Sequence, residues 1–181
     1  MIGFFDMGLL ELPSRACSEG LHDDGASVHV AQEAELPHLE ALLDDQDDHA
    51  RRVRVGDLLL YCCDEASLPV AGLWLNCATH ADAYLGRWSR PTASVWYLNQ
   101  LYTRPNHRGK GFASRLVRGA QLTAHKTGAH TIRVAVDPDN MPSWHLFINA
   151  GSRQRGRLRG VRLGRRITLR LTITRHGLAH P

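Results

Sequence analysis

The chain has 181 residues, 43% of them hydrophobic, and a formal net charge of +4. This length suits one domain with a sizeable core, and the hydrophobic content with charges of both signs excludes an intrinsically disordered chain. The apolar patch Met1–Leu12 is interrupted by Asp6 and Glu11 and is far too short to span a membrane. We therefore expect residues 1–26 to be an extension that packs on the domain or stays mobile, followed by a single domain at residues 27–181.

The first half of the predicted domain alternates strands and helices. Val28–Gln32 is predicted as a strand, and Ala34–Leu43 as a helix because its leucines recur at helical spacing. A short second helix is predicted at Asp48–Val53. Two further strands, Leu58–Cys63 and Val70–Cys77, are separated by a proline-containing turn.

The second half contains clearer patterns. Val95–Thr103 and Thr131–Val136 are rich in β-branched or aromatic residues and are predicted to be strands. Between them, Ala113–Lys126 carries apolar residues on one side of a predicted helix. Beyond Ala150 the chain becomes rich in arginine, and Ile167–Thr174 alternates apolar and polar residues as a half-buried strand does.

Neither the cysteines nor the histidines show the spacing of a metal site. The four cysteines lack zinc-type spacing, and the adjacent Cys62 and Cys63 would project to opposite faces of a strand. The 11 histidines contain no H-E-x-x-H motif or paired ligand spacing. We expect no metal, and we interpret the cysteines as buried, reduced thiols of a cytoplasmic protein.

A glycine-rich segment, Arg108–Ala113, joins a predicted strand to a predicted helix. Glycines let the backbone approach a ligand closely, and the first N–H groups of a helix lack partners within the helix. The helix dipole and the side chains of His107, Arg108 and Lys110 add positive charge, so the segment predicts a pyrophosphate site. Its spacing differs from the Walker A loop and from the dinucleotide fingerprint, in which a third glycine would replace Ser114.

Two short motifs follow each other in this half of the chain. The first has the pattern Arg/Gln-x-x-Gly-x-Gly/Ala and is formed by Arg108, Gly111 and Ala113. The second has the spacing of an Asn-x-x-Ala/Ser block that ends in glycine and is formed by Asn140, Ser143 and Gly151. Together they resemble the acyl-CoA loop and the following block of the GNAT superfamily of N-acetyltransferases. The resemblance covers about residues 27–175, and the segment 98–116 is most similar to diamine acetyltransferases.

The resemblance implies an α/β fold, with a mixed, mostly antiparallel twisted sheet, helices on both faces and a splayed central strand pair. It also implies acetyl-CoA as co-substrate, with the pantetheine arm docked like an added strand on the backbone of Leu101, Tyr102 and Thr103. The pyrophosphate is then expected on the glycine-rich loop and the first helical turn: Arg108, Gly109, Lys110, Gly111, Phe112, Ala113 and Ser114. Asn140 and Ser143 would contact the far side of the cofactor.

The expected catalytic positions depart from the pattern of the superfamily. Phe147 stands where a tyrosine usually protonates the leaving thiolate, and two amides, Asn99 and Gln100, stand where a carboxylate is frequent. An amide cannot take a proton from an ammonium, but it can orient a water that does. Tyr97 and Asn99 share one face of a predicted strand and are our candidates for holding such a water. Alternatively, Tyr97 is a core aromatic with a satisfied hydroxyl.

Two charged clusters bear on the acceptor. An acidic cluster follows the first predicted helix and consists of Asp44, Asp45, Asp47 and Asp48. It favours a small cationic amine, because this region often lines the acceptor site in the superfamily; a solvated loop is the alternative. The arginine-rich stretch at residues 153–166 is either the exposed face of a hairpin or a contact for an acidic partner. It lacks aromatic residues for base stacking, which argues against sequence-specific nucleic-acid binding.

The main hypothesis is an acetyl-CoA-dependent N-acetyltransferase that moves an acetyl group to a primary amine, most simply a small molecule, by direct attack. One alternative is a catalytically degenerate acyl-CoA-binding regulatory module, which the loss of tyrosine at Phe147 motivates. Another is acetylation of an amine on a protein or a nucleic acid. We expect no membrane partner, and a homodimer is left open.

Overall fold

The computed structural model describes residues 2–15, 28–43, 48–79, 89–163 and 166–172. In these segments eight strands form one sheet: Ile2–Pro13 (β1), Val28–Val30 (β2), Leu58–Cys63 (β3), Pro69–Asn76 (β4), Val95–Thr103 (β5), Thr131–Val136 (β6), Arg153–Leu163 (β7) and Arg166–Thr172 (β8). The α-helices of the same segments are Leu36–Leu39 (α1), His49–Arg54 (α2), Phe112–Lys126 (α3) and Met141–Asn149 (α4). Three short 3-10 turns accompany them: Glu33–Glu35, Glu40–Leu42 and Pro105–His107.

The order of the strands across the sheet is β2-β3-β4-β5-β6-β1-β7-β8. Neighbouring strands are antiparallel except β5 and β6, which are parallel and pair over only part of their length. Helices α3 and α4 cover one face, while α1 and α2 cover the other. The predicted fold class is therefore confirmed: a mixed, mostly antiparallel sheet has helices on both faces and a central strand pair that separates.

Strand β1 lies inside the sheet, between β6 and β7. Leu9 and Leu10, which point to opposite faces of the sheet, are both buried: Leu10 lies in the main core, and Leu9 packs with Tyr97 of β5 and Leu158 of β7. Asp6 and Glu11, which interrupt the apolar patch in the sequence, form ion pairs with arginines of the neighbouring strands. The segment is thus an interior strand rather than an addition to the domain, and the predicted boundary at residue 27 does not follow the sheet.

The first helical region is more broken than its leucine spacing predicts. In place of one helix over Ala34–Leu43, a 3-10 turn, the single turn α1 and a second 3-10 turn follow each other. A capping box starts the first turn, in which the Gln32 N–H donates to Glu35 Oε2 at 2.7 Å. The leucines nonetheless reach the sheet, where Leu36 and Leu39 pack in one cluster with Trp74 of β4.

The main core lies between the sheet and helices α3 and α4. Leu116 and Val117 of α3 are fully buried against it, as the predicted helical face requires. Gly119 lets α3 approach β2 closely, because a Cβ at this position would lie 2.8 Å from Val28 Cγ1. This close packing places the middle of α3 against β2.

The described cysteines are free thiols. Burial raises the pKa of Cys62 to about 11 and the pKa of Cys77 to about 12, so both are poor nucleophiles near neutral pH. Among the residues that the structure describes, no three histidine, cysteine or acidic side chains come together as metal ligands would. Nor does that part of the chain contain a helix with the length and apolarity needed to cross a membrane.

Candidate active site

The predicted anion site is a tight loop between β5 and α3. Gly109 and Gly111 adopt φ values of 76° and 83°, in the left-handed region that glycine enters without steric cost. A Cβ at either position would meet no atom within 4 Å, so the concave side of the loop is open. The first helical hydrogen bond of α3 runs from Arg115 N–H to the Gly111 carbonyl at 3.0 Å. The N–H groups of residues 112–114 precede it and point out of the helix toward the loop.

The charged side chains around this loop divide into two roles. Arg108 and Lys110 are exposed, and the Arg108 Nε–H donates to the Thr103 carbonyl at 3.3 Å, which holds its guanidinium beside the end of β5. His107 instead pairs with Asp64 of the β3–β4 turn, at 3.3 Å between Nε2 and Oδ2. Its ring also meets the edge of Phe112 at 6.0 Å between centroids. His107 therefore supports the base of the loop, rather than adding free positive charge as the sequence predicted.

Strands β5 and β6 separate halfway along β5. They pair only through Val95, Trp96 and Tyr97, which face residues 131–133 of β6. On its other edge β6 pairs with β1 from Thr131 to Val136, whereas residues 98–103 pair with β4 alone among the described strands. The edge of β5 that faces the gap therefore carries backbone groups without a strand partner, which is where a pantetheine arm was predicted to dock along Leu101–Thr103.

A β-bulge lies at the beginning of this gap. Trp74 of β4 pairs with Asn99 while Gly72 pairs with Tyr102, so β5 contains one extra residue between these two pairs. The backbone accommodates the extra residue at Gln100, whose φ of 51° is unusual for a residue other than glycine. Its side chain is held in turn, because Gln100 Oε1 accepts a hydrogen bond of 2.8 Å from Arg52.

Arg52 of α2 is the centre of a polar cluster that the sequence analysis missed. Its Nη1 donates to Gln100, while its Nη2 lies 3.3 Å from both Asn76 Oδ1 and Asn99 Oδ1. Its Nε is 3.6 Å from Asp57 Oδ2, and its side chain is only 11% exposed. Five side chains from three separate parts of the chain thus meet on the face of the sheet that α2 covers.

Asp57 is the buried anion of this cluster. Its carboxylate accepts hydrogen bonds from five groups: Asn76 Nδ2, the N–H groups of Cys77, Ala78 and Thr79, and the Thr79 hydroxyl. These donors compensate the charge and hold the chain that follows β4. A carboxylate so fully hydrogen-bonded is suited to structural support rather than to proton abstraction.

The guanidinium of Arg52 also packs against the ring of Trp74. The guanidinium carbon lies 3.9 Å from the centroid of a Trp74 ring, within the range of a cation–π contact. His49, also in α2, stacks on Trp74 with 5.7 Å between ring centroids. The Arg52 side chain is therefore fixed both by its oxygen partners and by stacking.

The two predicted catalytic residues lie on the same face of β5 but in different surroundings. Tyr97 is 5% exposed and packs with Leu9 and Leu158, as the alternative of a core aromatic predicts. Asn99 is half-buried, and its side-chain oxygen is occupied by Arg52. Phe147, at the position expected for a catalytic tyrosine, is 2% exposed in the main core.

The two predicted contacts on the far side of the cofactor cap a helix. Asn140 is the N-cap of α4, and its Oδ1 accepts from the Ser143 N–H at 3.2 Å. This capping accounts for the Asn-x-x-Ser spacing without any ligand. A contact of either residue with a cofactor stays a prediction.

The structure describes most of the arginine-rich stretch but only Asp48 of the acidic cluster. Asp48 caps α2 by accepting from the Arg51 N–H at 2.9 Å, whereas the other acidic residues, Asp44, Asp45 and Asp47, lie outside the described residues. The arginine-rich stretch forms β7 and the start of β8, which pair as an antiparallel hairpin. Three of its arginines form ion pairs with acidic residues of β1: Arg155 with Glu11, and Arg157 and Arg159 with Asp6.

The sequence and the structure were compared with known proteins. The sequence model of the acetyltransferase (GNAT) family matches residues 34–151, which is more than half of the chain. No curated protein matches the sequence. Many solved structures match the fold.

Three of these structures illustrate the likeness. A putative GNAT-family acetyltransferase from Novosphingobium aromaticivorans has a TM-score of 0.61 and 18% identity, over 88% of this chain and 65% of that one. An aminoglycoside 6'-N-acetyltransferase, AAC(6')-Ih from Acinetobacter baumannii, has a TM-score of 0.52 and 20% identity, over 70% and 90%. AAC(6')-Iy in complex with the bisubstrate analogue CoA-S-monomethyl-acetylneamine has a TM-score of 0.55 and 14% identity, over 71% and 90%. The chain spans less than two thirds of the first of these structures.

Proposed function

Because the chain belongs to the acetyltransferase (GNAT) family, we propose that it transfers an acetyl group from acetyl-CoA to a primary amine by direct attack. Acetyl-CoA supplies the thioester, whose acetyl carbon bonds to the amine nitrogen while the C–S bond breaks and the thiolate leaves with its electron pair. The proton that the nitrogen loses passes to the thiolate, directly or through water, so that the products are the acetamide and free CoA thiol. The observation that carries the proposal is the conjunction of an open glycine loop at the start of α3 with an unpaired edge of β5 directly before it. The two features are joined by Arg104, the Pro105–His107 turn and Arg108.

The loop and the strand edge suit different parts of the same ligand. The outward N–H groups of residues 112–114 and the positive end of the α3 dipole suit a diphosphate, and exposed Arg108 and Lys110 add charge beside them. The backbone of Leu101–Thr103 offers donors and acceptors in an extended row, which suits the two amides of a pantetheine arm. Together these elements would hold the thioester beside the bulge at Gln100.

The described residues around the bulge do not provide the usual carboxylate base that would take a proton from the amine. Asn99 and Gln100 direct their side-chain oxygens at Arg52, and Asp57 is saturated by other donors. Among the described residues of this cluster, none offers a free carboxylate at the bulge. We infer that the amine binds as its free base, so that kcat/KM rises with pH up to the pKa of the amine itself. The thiolate can leave without a protein acid, because thiols are themselves fairly acidic at about pKa 8.5.

A small amine is the acceptor that we propose. One of the structurally similar proteins is named an aminoglycoside 6'-N-acetyltransferase, and another, AAC(6')-Iy, was solved with a CoA bisubstrate analogue; their likeness to this chain extends to the fold alone. The acidic cluster at residues 44–48 remains the reason to include cationic amines. The test is release of free thiol from acetyl-CoA by the purified protein across a panel of primary amines at pH 7 to 9. Thiol release that requires an amine supports the proposal, whereas no release above the rate without protein contradicts it.

The second candidate is a module that binds acyl-CoA without turning it over, and the burial of Phe147 favours it. The variant Phe147→Tyr separates the two. If the wild type is an enzyme that needs no tyrosine, the variant should gain no rate and should lose stability, because the new hydroxyl enters a packed core. A gain of about tenfold or more in thiol release over an inactive wild type would favour the degenerate module.

Acetylation of a protein or nucleic-acid amine is a further alternative. The ion pairs of Asp6 and Glu11 with the arginines of β7 reduce the positive field that such a partner would need. A steep fall of kcat/KM with ionic strength would nevertheless support a macromolecular acceptor over a small one.

A further inference from the structure

The orientation of the Asn99 amide follows from its partner. A guanidinium has N–H donors and no acceptor, so the Asn99 atom that lies 3.3 Å from Arg52 Nη2 must be the oxygen. The NH2 group of Asn99 is then directed away from Arg52. Since Asn99 is half-buried and immediately precedes the bulge at Gln100, its side chain presents a hydrogen-bond donor beside the gap between β5 and β6.

This orientation is held firmly. Arg52 is stacked on Trp74 and contacts the side-chain oxygens of Asn76 and Gln100 as well as that of Asn99. The guanidinium cannot turn to another partner without breaking several contacts at once. It lies on the face of the sheet opposite to the main core that receives α3, and on this face half-buried Asn99 stays partly accessible.

We propose that Asn99 is a specificity-determining residue, oriented by Arg52 as a positioning residue, and that it selects primary amines that carry an oxygen acceptor close to the amino group. The inference rests on the proposed acetyl transfer and adds the chemical class of the acceptor. An oxygen next to the amine accepts a hydrogen bond from the Asn99 NH2 group. An alkyl group in its place leaves that donor without a partner once water is displaced.

The test compares two amines of nearly equal size, ethanolamine and propylamine, which differ by a hydroxyl in place of a methyl group. The wild type should have the higher kcat/KM for ethanolamine. The variant Asn99→Asp keeps an oxygen for Arg52 but replaces the donor with an acceptor. In this variant we expect the ratio of kcat/KM for ethanolamine to kcat/KM for propylamine to fall by about tenfold, mainly because the KM for ethanolamine rises. The Kd for CoA should not change. Because the new carboxylate can also take a proton from the amine, kcat/KM is calculated per concentration of free-base amine from pH 7 to 9. A change in rate that is common to both amines reports that effect, and only the change in their ratio tests the hydrogen-bond donor.

A second pair of variants tests the positioning role. Arg52→Lys keeps the charge but cannot contact three separated oxygens, so it should lower the same ratio toward that of Asn99→Asp. Arg54→Lys is the matched control, because Arg54 lies in the same helix with a side chain that is 62% exposed, and it should change nothing. Unchanged ratios in Asn99→Asp and Arg52→Lys, with normal turnover of both amines, would overturn this inference alone. A wild type that releases thiol with other primary amines of the panel but not with ethanolamine would also overturn this inference alone, whereas no thiol release with any amine would refute the proposed acetyl transfer.

Discussion

Replacement of Gly111 tests the diphosphate site most directly, because the same helix provides a matched control. Gly111 precedes α3 with a φ of 83°, and Gly128 follows it with a φ of 85°. A Cβ at either position meets no atom within 4 Å. The variants Gly111→Leu and Gly128→Leu therefore impose similar backbone strain without a clash at Cβ, and they place the new side chain at opposite ends of the helix.

The two variants should lose similar stability and very different affinity. A left-handed conformation at a residue other than glycine costs about 1–2 kcal/mol, so each melting temperature should fall by roughly 2–8 °C. The leucine at position 111 also stands over the outward N–H groups of α3. If it displaces two charge-assisted N–H···O bonds of at least about 1.5 kcal/mol each, the Kd for CoA should rise more than about 100-fold.

Isothermal titration calorimetry with CoA and with pantetheine measures both effects. Pantetheine lacks the diphosphate, so its binding should be similar in Gly111→Leu, Gly128→Leu and the wild type. CoA should bind weakly to Gly111→Leu alone. Wild-type affinity of Gly111→Leu for CoA, or an equal loss in the two variants, would refute the assignment of the diphosphate to this helix start.

Two further predictions concern stability. Gly8→Ala places a methyl group too close to the Trp144 ring and should lower the free energy of unfolding in urea by about 1 kcal/mol or more. This loss should be smaller when Trp144→Leu is also present, and strictly additive effects of the two substitutions would contradict the contact. The Gln32 N–H and then the Tyr61 hydroxyl hold the pKa of Glu35 below its ordinary value of 4.5. Glu35 therefore stabilises the fold above about pH 4.5 and loses this contribution as the pH falls through its lowered pKa. Glu35→Gln should weaken the protein at pH 7 more than at pH 3, and an equal difference at both pH values would argue against this role.

Features that depend on neighbours in sequence could be predicted. The glycine-rich turn at Arg108–Ala113, the apolar face of α3 and the strand Thr131–Val136 that follows it are all encoded within about 30 residues. The separation of β5 from β6 was expected from the family resemblance, and the register of the two strands confirms it. The loop could be predicted from sequence because its conformation depends on residues that are close together in the chain.

Features that depend on distant partners could not be predicted. Asp6 and Glu11 interrupt an apolar pattern, and their charges are compensated only by arginines more than 100 positions away. Arg52 has the appearance of a solvent-facing helix residue until the fold places it over Trp74 and against Asn99. Such pairings leave no periodic pattern in the sequence, since either partner alone looks like an ordinary surface residue.

The position of β1 has a consequence for how the domain assembles. During synthesis Ile2–Pro13 leaves the ribosome before either of its neighbours, Thr131–Val136 and Arg153–Leu163, has been made. Until then both of its edges are open to other chains, and its leucines lack the layers that later enclose them. Closure of the sheet must wait for contacts of very long sequence separation, which slows folding and favours dependence on chaperones. A shortened version beginning after Pro13 would leave two facing edges in the middle of the sheet without the strand that joins them.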